Sequence, residues 1–134
     1  MTELEEVEAI YLDYFNRDYL IMERTNEDLA VVREQRKEAT REMIEAYMEA
    51  DRRHFARSEA ISDLLGARNI TDVPYLNALW QEASAAHAKV SATHRVKIQA
   101  IHKHYDQIVS EIHDREKSSN VENVARRDAE LNAR

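Results

Sequence analysis

The sequence predicts an all-α protein, a long antiparallel helical hairpin of the coiled-coil type with a shorter N-terminal helix. The chain of 134 residues has one Gly and one Pro, and both lie in the short stretch from Gly66 to Pro74. Apolar residues recur at steps of three and four on each side of this stretch, which is the helical period. Charged residues make up 34% of the chain, a proportion typical of long exposed helices.

The first predicted helix covers residues 2–24. One broad face is apolar and unusually aromatic, and acidic residues lie opposite. The spacing Thr25-x-x-Asp28 that follows resembles a capping box, so we expect a break at 25–28. Because this stretch contains neither Gly nor Pro, a continuous helix from 2 to 65 is the alternative. The apolar face consists of Leu4, Val7, Ile10, Tyr11, Tyr14, Phe15, Tyr19, Ile21 and Met22.

The second and third predicted helices, about 27–65 and about 74–117, form the hairpin around a hinge at 66–73. Gly66 can adopt the left-handed conformation that ends a helix, and Pro74 is tolerated in the first turn of the next one. The seam of each helix is the line of residues, mostly apolar, that is predicted to face the other helix. In the second helix it consists of Leu29, Val32, Arg36, Thr40, Met43, Tyr47, Ala50, His54, Ser58, Ile61 and Leu65. The seam of the third consists of Leu76, Trp80, Ala83, His87, Val90, His94, Ile98, Ile101, Tyr105, Ile108 and Ile112.

These two seams predict a specific antiparallel register. They face each other if the residue numbers in each layer add to about 141. This rule pairs Tyr47 with His94 and His54 with His87. After the third helix, Ser118-Ser119-Asn120 predicts a weak C-terminal helix or tail at 119–134, with a continuous third helix as the alternative. We expect residues 1–134 to form a single helical domain.

Surplus apolar residues on the hairpin indicate that another helix covers it. One line lies beside the seam of the second helix, and an alanine-rich line lies on the far side of the third. A two-helix hairpin would leave both lines in water, so either the first helix folds back or a second copy packs there. We expect a homodimeric bundle with self-association through Ile44, Met48, Phe55, Ala85 and Ala92.

The first 30 residues combine acidic charge with aromatic side chains. Nine acidic residues against two basic ones give this segment the whole net charge of -7, and it holds four of the eight Tyr and Phe residues. Aromatic anchors inside an acidic rim favour binding of a protein with a basic surface. The competing interpretation is that the aromatic face covers the apolar line of the second helix. The predicted partner-binding residues are Tyr11, Tyr14, Phe15, Tyr19, Glu5 and Glu6.

Composition argues against several function classes. The absence of cysteine excludes disulfides and thiolate metal sites. Basic residues alternate with acidic ones and form no stripe, so we expect no nucleic-acid binding. No segment resembles a signal peptide or a membrane span, so we expect a cytoplasmic protein without a membrane partner.

The six histidines invite a metal or catalytic hypothesis. His54, His87 and His94 fall on the seam, but a zinc site needs three or four converging ligands, and the Glu-x-x-His motifs of diiron bundles are missing. We therefore interpret these histidines as a polar layer that fixes register. The sequence also lacks the glycines of phosphate-binding loops and the turns of nucleophilic triads. We expect no catalytic residue, metal ligand or cofactor.

The leading functional expectation is a non-enzymatic protein-protein interaction module that acts through helical surfaces. A small phage or bacterial adaptor, assembly factor or inhibitor would have this character. A secretion-associated stalk or escort protein is an alternative that rests on shape alone. An alternative of another class is a helical bundle that binds a metal or small molecule through histidine and carboxylate side chains.

Overall fold

Two long helices make up the described part of the chain. The structure, a computed structural model, describes residues 1–68 and 73–134, with side chains described for 1–64 and 74–134. Helix α1 spans Glu3–Arg68 and helix α2 spans Val73–Asn132. The two helices pack against each other, which confirms the predicted all-α helical hairpin. Of the predicted hinge at 66–73, residues 69–72 are outside the described residues. The predicted helix end at 65 is wrong, because α1 continues through 66–68, and α2 already begins at Val73.

The predicted break at 25–28 is wrong, and no separate N-terminal helix exists, because α1 continues through this stretch. Thr25 is only 2% exposed, and its hydroxyl donates a hydrogen bond of 2.9 Å to the carbonyl oxygen of Ile21. A threonine that bonds the carbonyl four residues earlier satisfies its hydroxyl inside a helix. The cap instead lies at the start of α1, where the Thr2 hydroxyl accepts a hydrogen bond of 3.1 Å from the Glu5 amide.

The predicted weakening after Lys117 is also wrong, because α2 continues to Asn132. Ser119 and Asn120 are half-buried, and Asn123 is only 5% exposed. Packing against α1 compensates for the low helix propensity of this stretch, because most helical stability in proteins comes from packing.

The structure confirms the predicted register in two layers, one with stacked rings and one with rings that meet edge to face. The ring centroids of His54 and His87 lie 4.3 Å apart, and those of Tyr47 and His94 lie 5.9 Å apart. Every described residue of the predicted α1 seam is buried or half-buried. The same holds for the α2 seam except at Val90, which is 38% exposed.

The chain forms two compact units, each made of one segment of α1 and one of α2. The first unit comprises Met1–Gln35 and His104–Arg134, and the second comprises Arg36–Lys103. The first has 17 acidic and 8 basic residues, a net charge of -9. The second has 9 acidic and 11 basic residues, a net charge of +2. The two units therefore differ strongly in charge.

Neither helix, over the residues described, has an apolar stretch of the length needed to cross a membrane.

Candidate interaction surfaces

An exposed apolar strip runs along α1 in the first unit. We call it the aromatic strip, and it consists of Tyr11, Leu12, Phe15, Tyr19 and Met22. Their exposed fractions lie between 37% for Tyr11 and 59% for Tyr19. At about 100° per residue, these positions lie within about 100° of one another on the helix. Large apolar side chains clustered on one exposed face indicate an interaction site more strongly than isolated ones do.

The inner edge of the strip is fixed by contacts with α2. The guanidinium of Arg127 lies 4.7 Å from the ring centroid of Tyr14 and 5.9 Å from that of Tyr11. The rings of Tyr14 and Phe15 contact each other with centroids 5.3 Å apart. Tyr14 is thus half-buried and supports the strip, whereas Phe15 is 57% exposed. Of the predicted partner-binding aromatics, Phe15 and Tyr19 present the most surface to solvent.

Exposed acidic groups lie along the same segment of α1 as the aromatic strip. Glu5 and Glu6 are exposed in the first turn of α1, where the helix dipole favours negative charge. Glu8, Asp13 and Asp18 follow along the same segment and are also exposed. A surface of this kind attracts a basic partner and speeds its association at low salt.

A buried polar cluster holds this part of α1 against α2. The Oδ1 atom of Asn123 accepts a hydrogen bond of 2.6 Å from Nε of Arg17, and its Nδ2 atom donates one of 3.2 Å to the carbonyl oxygen of Tyr14. Arg17 also lies 3.9 Å from a carboxylate oxygen of Glu130. Because Asn123 bonds two α1 residues, one turn apart, it fixes the position from which Phe15 projects.

The second unit has its own exposed apolar residues on α1. Ile44, Met48 and Phe55 are 46%, 53% and 67% exposed. The competing interpretation, in which the aromatic face of the N-terminal segment folds back and covers them, is therefore wrong, because α1 is continuous. Beside Ile44, Tyr47 and three α2 residues (Ser91, Arg95 and Ile98) help to line a groove of about 280 Å³. Ala85 and Ala92 are exposed as well.

An arginine pair on α1 lowers the pKa of Glu49 below its usual value of 4.5. The main cause is the hydrogen bond from Arg52, at 2.8 Å from Nη2, and the next is the hydrogen bond of 3.2 Å from Arg53. These donors favour the ionised carboxylate. All three residues are exposed, so the cluster contributes to the solvent-facing side of α1.

The seam histidines form polar layers in the second unit. The Nε2 atom of His87 lies 2.6 Å from Oδ1 of Asp51 while its ring stacks on His54. The Nδ1 atoms of His54 and His94 are buried without a hydrogen-bond partner. Among the described residues, no three His, Asp or Glu side chains form a group that could hold a metal ion.

His102 has a contact that the sequence did not predict. It is half-buried, and its Nδ1 atom accepts hydrogen bonds of 3.2 and 2.9 Å from Nε and Nη2 of Arg36. Arg36 itself is a seam position with a long polar side chain. That seam position was the available signal, because a half-buried guanidinium between two helices favours an acceptor on the facing helix.

No protein-family model, no curated protein and no solved structure matches this chain.

Proposed function

We propose that the protein is a non-enzymatic protein-protein interaction module. The aromatic strip of the first unit binds a protein with a basic surface. In this role the chain acts as an adaptor, an assembly factor or an inhibitor, and the paired helices are the scaffold that presents the strip.

The observation that carries this proposal is the exposure of Phe15 and Tyr19, at 57% and 59%, inside a unit of net charge -9. Burying large aromatic side chains supplies much of the binding energy at protein interfaces. Their exposure in the folded chain costs free energy that a partner could recover. The exposed carboxylates of the same segment add attraction for a basic surface and reduce affinity for acidic proteins.

The test is affinity capture from the native host with matched variants of the purified chain. Phe15→Ala combined with Tyr19→Ala removes the two most exposed aromatic anchors. Leu20→Ala is the control, because Leu20 is 61% exposed on another side of α1, about 100° from Tyr19. We expect the wild type and the control to retain the same basic protein, and the double variant to lose it.

Salt provides a second readout of the same complex. Charge attraction between exposed groups is screened as ionic strength rises. We expect the captured protein to elute between about 0.15 and 0.5 M salt, where the screening length becomes shorter than about 8 Å. Equal capture by the wild type and the double variant, or capture of an acidic protein, would contradict the proposal.

Self-association is a second proposed property, and a separate observation favours it. Ile44, Met48 and Phe55 are exposed in the second unit, where 11 basic residues nearly balance 9 acidic ones. Two copies of this unit repel each other little, whereas two copies of the first unit carry -9 each. A homodimer joined through the second unit leaves two aromatic strips for partners.

A further inference from the structure

The exposed side chains beside the α1 seam in the second unit follow an ordered charge pattern. We call these positions the α1 stripe, and they are Lys37, Arg41, Ile44, Met48, Asp51, Phe55 and Glu59. At about 100° per residue, all seven lie within about 80° of one another around the helix. The stripe is basic at its N-terminal end, mainly apolar in the middle and acidic at its C-terminal end.

We infer that a second copy of this chain packs on the α1 stripe in antiparallel orientation, about a two-fold axis near residue 50. This inference rests on the proposed self-association and assigns its geometry. Facing residues then have numbers that add to about 99 or 100. Ile44 packs against Phe55 of the second copy, and Arg41 faces Glu59 of the second copy. The two-fold axis repeats both contacts, as an isologous interface requires.

Charge complementarity favours this occupant and this orientation, with Arg41 shared between Glu38 of its own helix and Glu59 of the second copy. An antiparallel second copy places the acidic end of its stripe on the basic end of the first, at both ends of the interface. A parallel copy would instead place Arg41 against Arg41 and Glu59 against Glu59, and like charges in contact are unfavourable. The contact also covers Phe55, which at 67% is the most exposed apolar residue of this stripe.

The surroundings of Ile44 fit the same geometry. The groove beside Ile44 lies between α1 and α2, with Tyr47 and Ile98 among its lining residues and a volume of about 280 Å³. Phe55 of the second copy is the aromatic side chain that the antiparallel pairing brings to this groove. Asp51, close to the two-fold axis, already bonds His87, so its carboxylate is partly compensated within its own chain.

Light scattering after size exclusion tests the contact through charge reversal. We expect the full chain at about 50 µM to have twice its mass of 15.7 kDa, and Phe55→Glu to be monomeric. Arg41→Glu and Glu59→Arg should each raise the dissociation constant of the dimer on the order of tenfold. Each substitution places two like charges opposite each other at both ends of the interface. The double variant exchanges the two charges and should restore the dimer. Circular dichroism checks that each variant keeps its helices.

A second set of variants distinguishes dimerisation through the α1 stripe from dimerisation through another surface. The inferred interface uses α1 and not the alanine line of α2 that the sequence also suggested, so Ala85→Glu with Ala92→Glu should leave the dimer intact. If this variant is monomeric while Phe55→Glu remains dimeric, the chain self-associates through α2 and the inference is overturned. A wild-type monomer at every concentration overturns self-association itself, without bearing on partner capture by the aromatic strip.

Disulfide trapping tests the antiparallel orientation directly. Cysteines replace Ile44 and Phe55 in one chain that has no other cysteine. Eleven residues of helix separate the two positions by about 16 Å, so they cannot bond within one chain. We expect oxidation to produce covalent dimers of the double variant and few dimers of either single variant. Efficient dimers of both single variants would show parallel pairing and overturn the inference.

Discussion

Replacement of Asn123 tests whether a polar cluster positions the aromatic strip. Asn123 is 5% exposed and bonds both Nε of Arg17 and the carbonyl oxygen of Tyr14. Asn123→Ala leaves both groups without this partner. The side chain of Arg17 is only 21% exposed, so water replaces the lost acceptor poorly.

The expected cost follows from the two hydrogen bonds. A hydrogen bond to a charged group contributes about 1.5–3 kcal/mol, and a neutral one contributes about 0.5–1.5 kcal/mol. Arg17 keeps its long contact with Glu130, which offsets part of the loss. We therefore expect Asn123→Ala to lower the free energy of unfolding by about 2–4 kcal/mol.

The assay is urea unfolding followed by helical circular dichroism. Asn16→Ala is the control, because Asn16 is exposed on the same segment and should change the unfolding free energy by less than about 0.5 kcal/mol. In Arg17→Leu with Asn123→Leu, no charge is left unpaired, so this double variant should recover most of the loss. A double-mutant cycle should show coupling of about 1–3 kcal/mol between the two positions. If Asn123→Ala matches the Asn16 control and the coupling is absent, the cluster does not fix α1.

Three further predictions concern the helices. Cysteines at Ile61 and Trp80 should crosslink readily within one chain, whereas cysteines at Ile61 and His94 should not; the reverse result would refute the register. Hydrogen exchange should be as slow at residues 25–28 as at their neighbours in α1, while fast exchange confined to this stretch would indicate a break in the helix. The carboxyl of Glu49 has a pKa below 4.5 in the folded chain, so its stabilising effect is present above pH 4.5 and is lost as pH falls through the folded value. Glu49→Gln should therefore unfold more easily than the wild type at pH 6, with the difference disappearing at low pH; a difference that is independent of pH would refute this.

The hairpin was predictable because its seams keep one period over many turns. The spacing of three and four residues places four aromatic side chains on the seams, namely Tyr47, His54, His87 and His94. The rule that paired residue numbers add to about 141 then matches Tyr47 with His94 and His54 with His87. Residue types that are typical of helix ends predicted the bounds of the helices less reliably. Thr25 has the residue type of a cap, yet its hydroxyl bonds back into the helix, and burial against α2 outweighs its low helix propensity.

The candidate surfaces were predictable only in part. The aromatic content of the first segment pointed to Phe15 and Tyr19, but periodicity alone could not show that Tyr14 faces Arg127 while Phe15 stays exposed. That distinction depends on which side of α1 meets α2. Leu12 and Met22 belong to the strip because they are 54% and 51% exposed, which the sequence pattern does not show.

Site-specific photo-crosslinking in the native host tests the central claim most directly. A photoreactive phenylalanine analogue replaces Phe15 in one variant and Leu20 in the other, two exposed positions on different sides of α1. We predict that the analogue at position 15 forms a covalent adduct with one basic protein, and that the analogue at position 20 forms little or none. Equal labelling of that protein from both positions, or adducts from position 20 alone, would contradict binding through the aromatic strip.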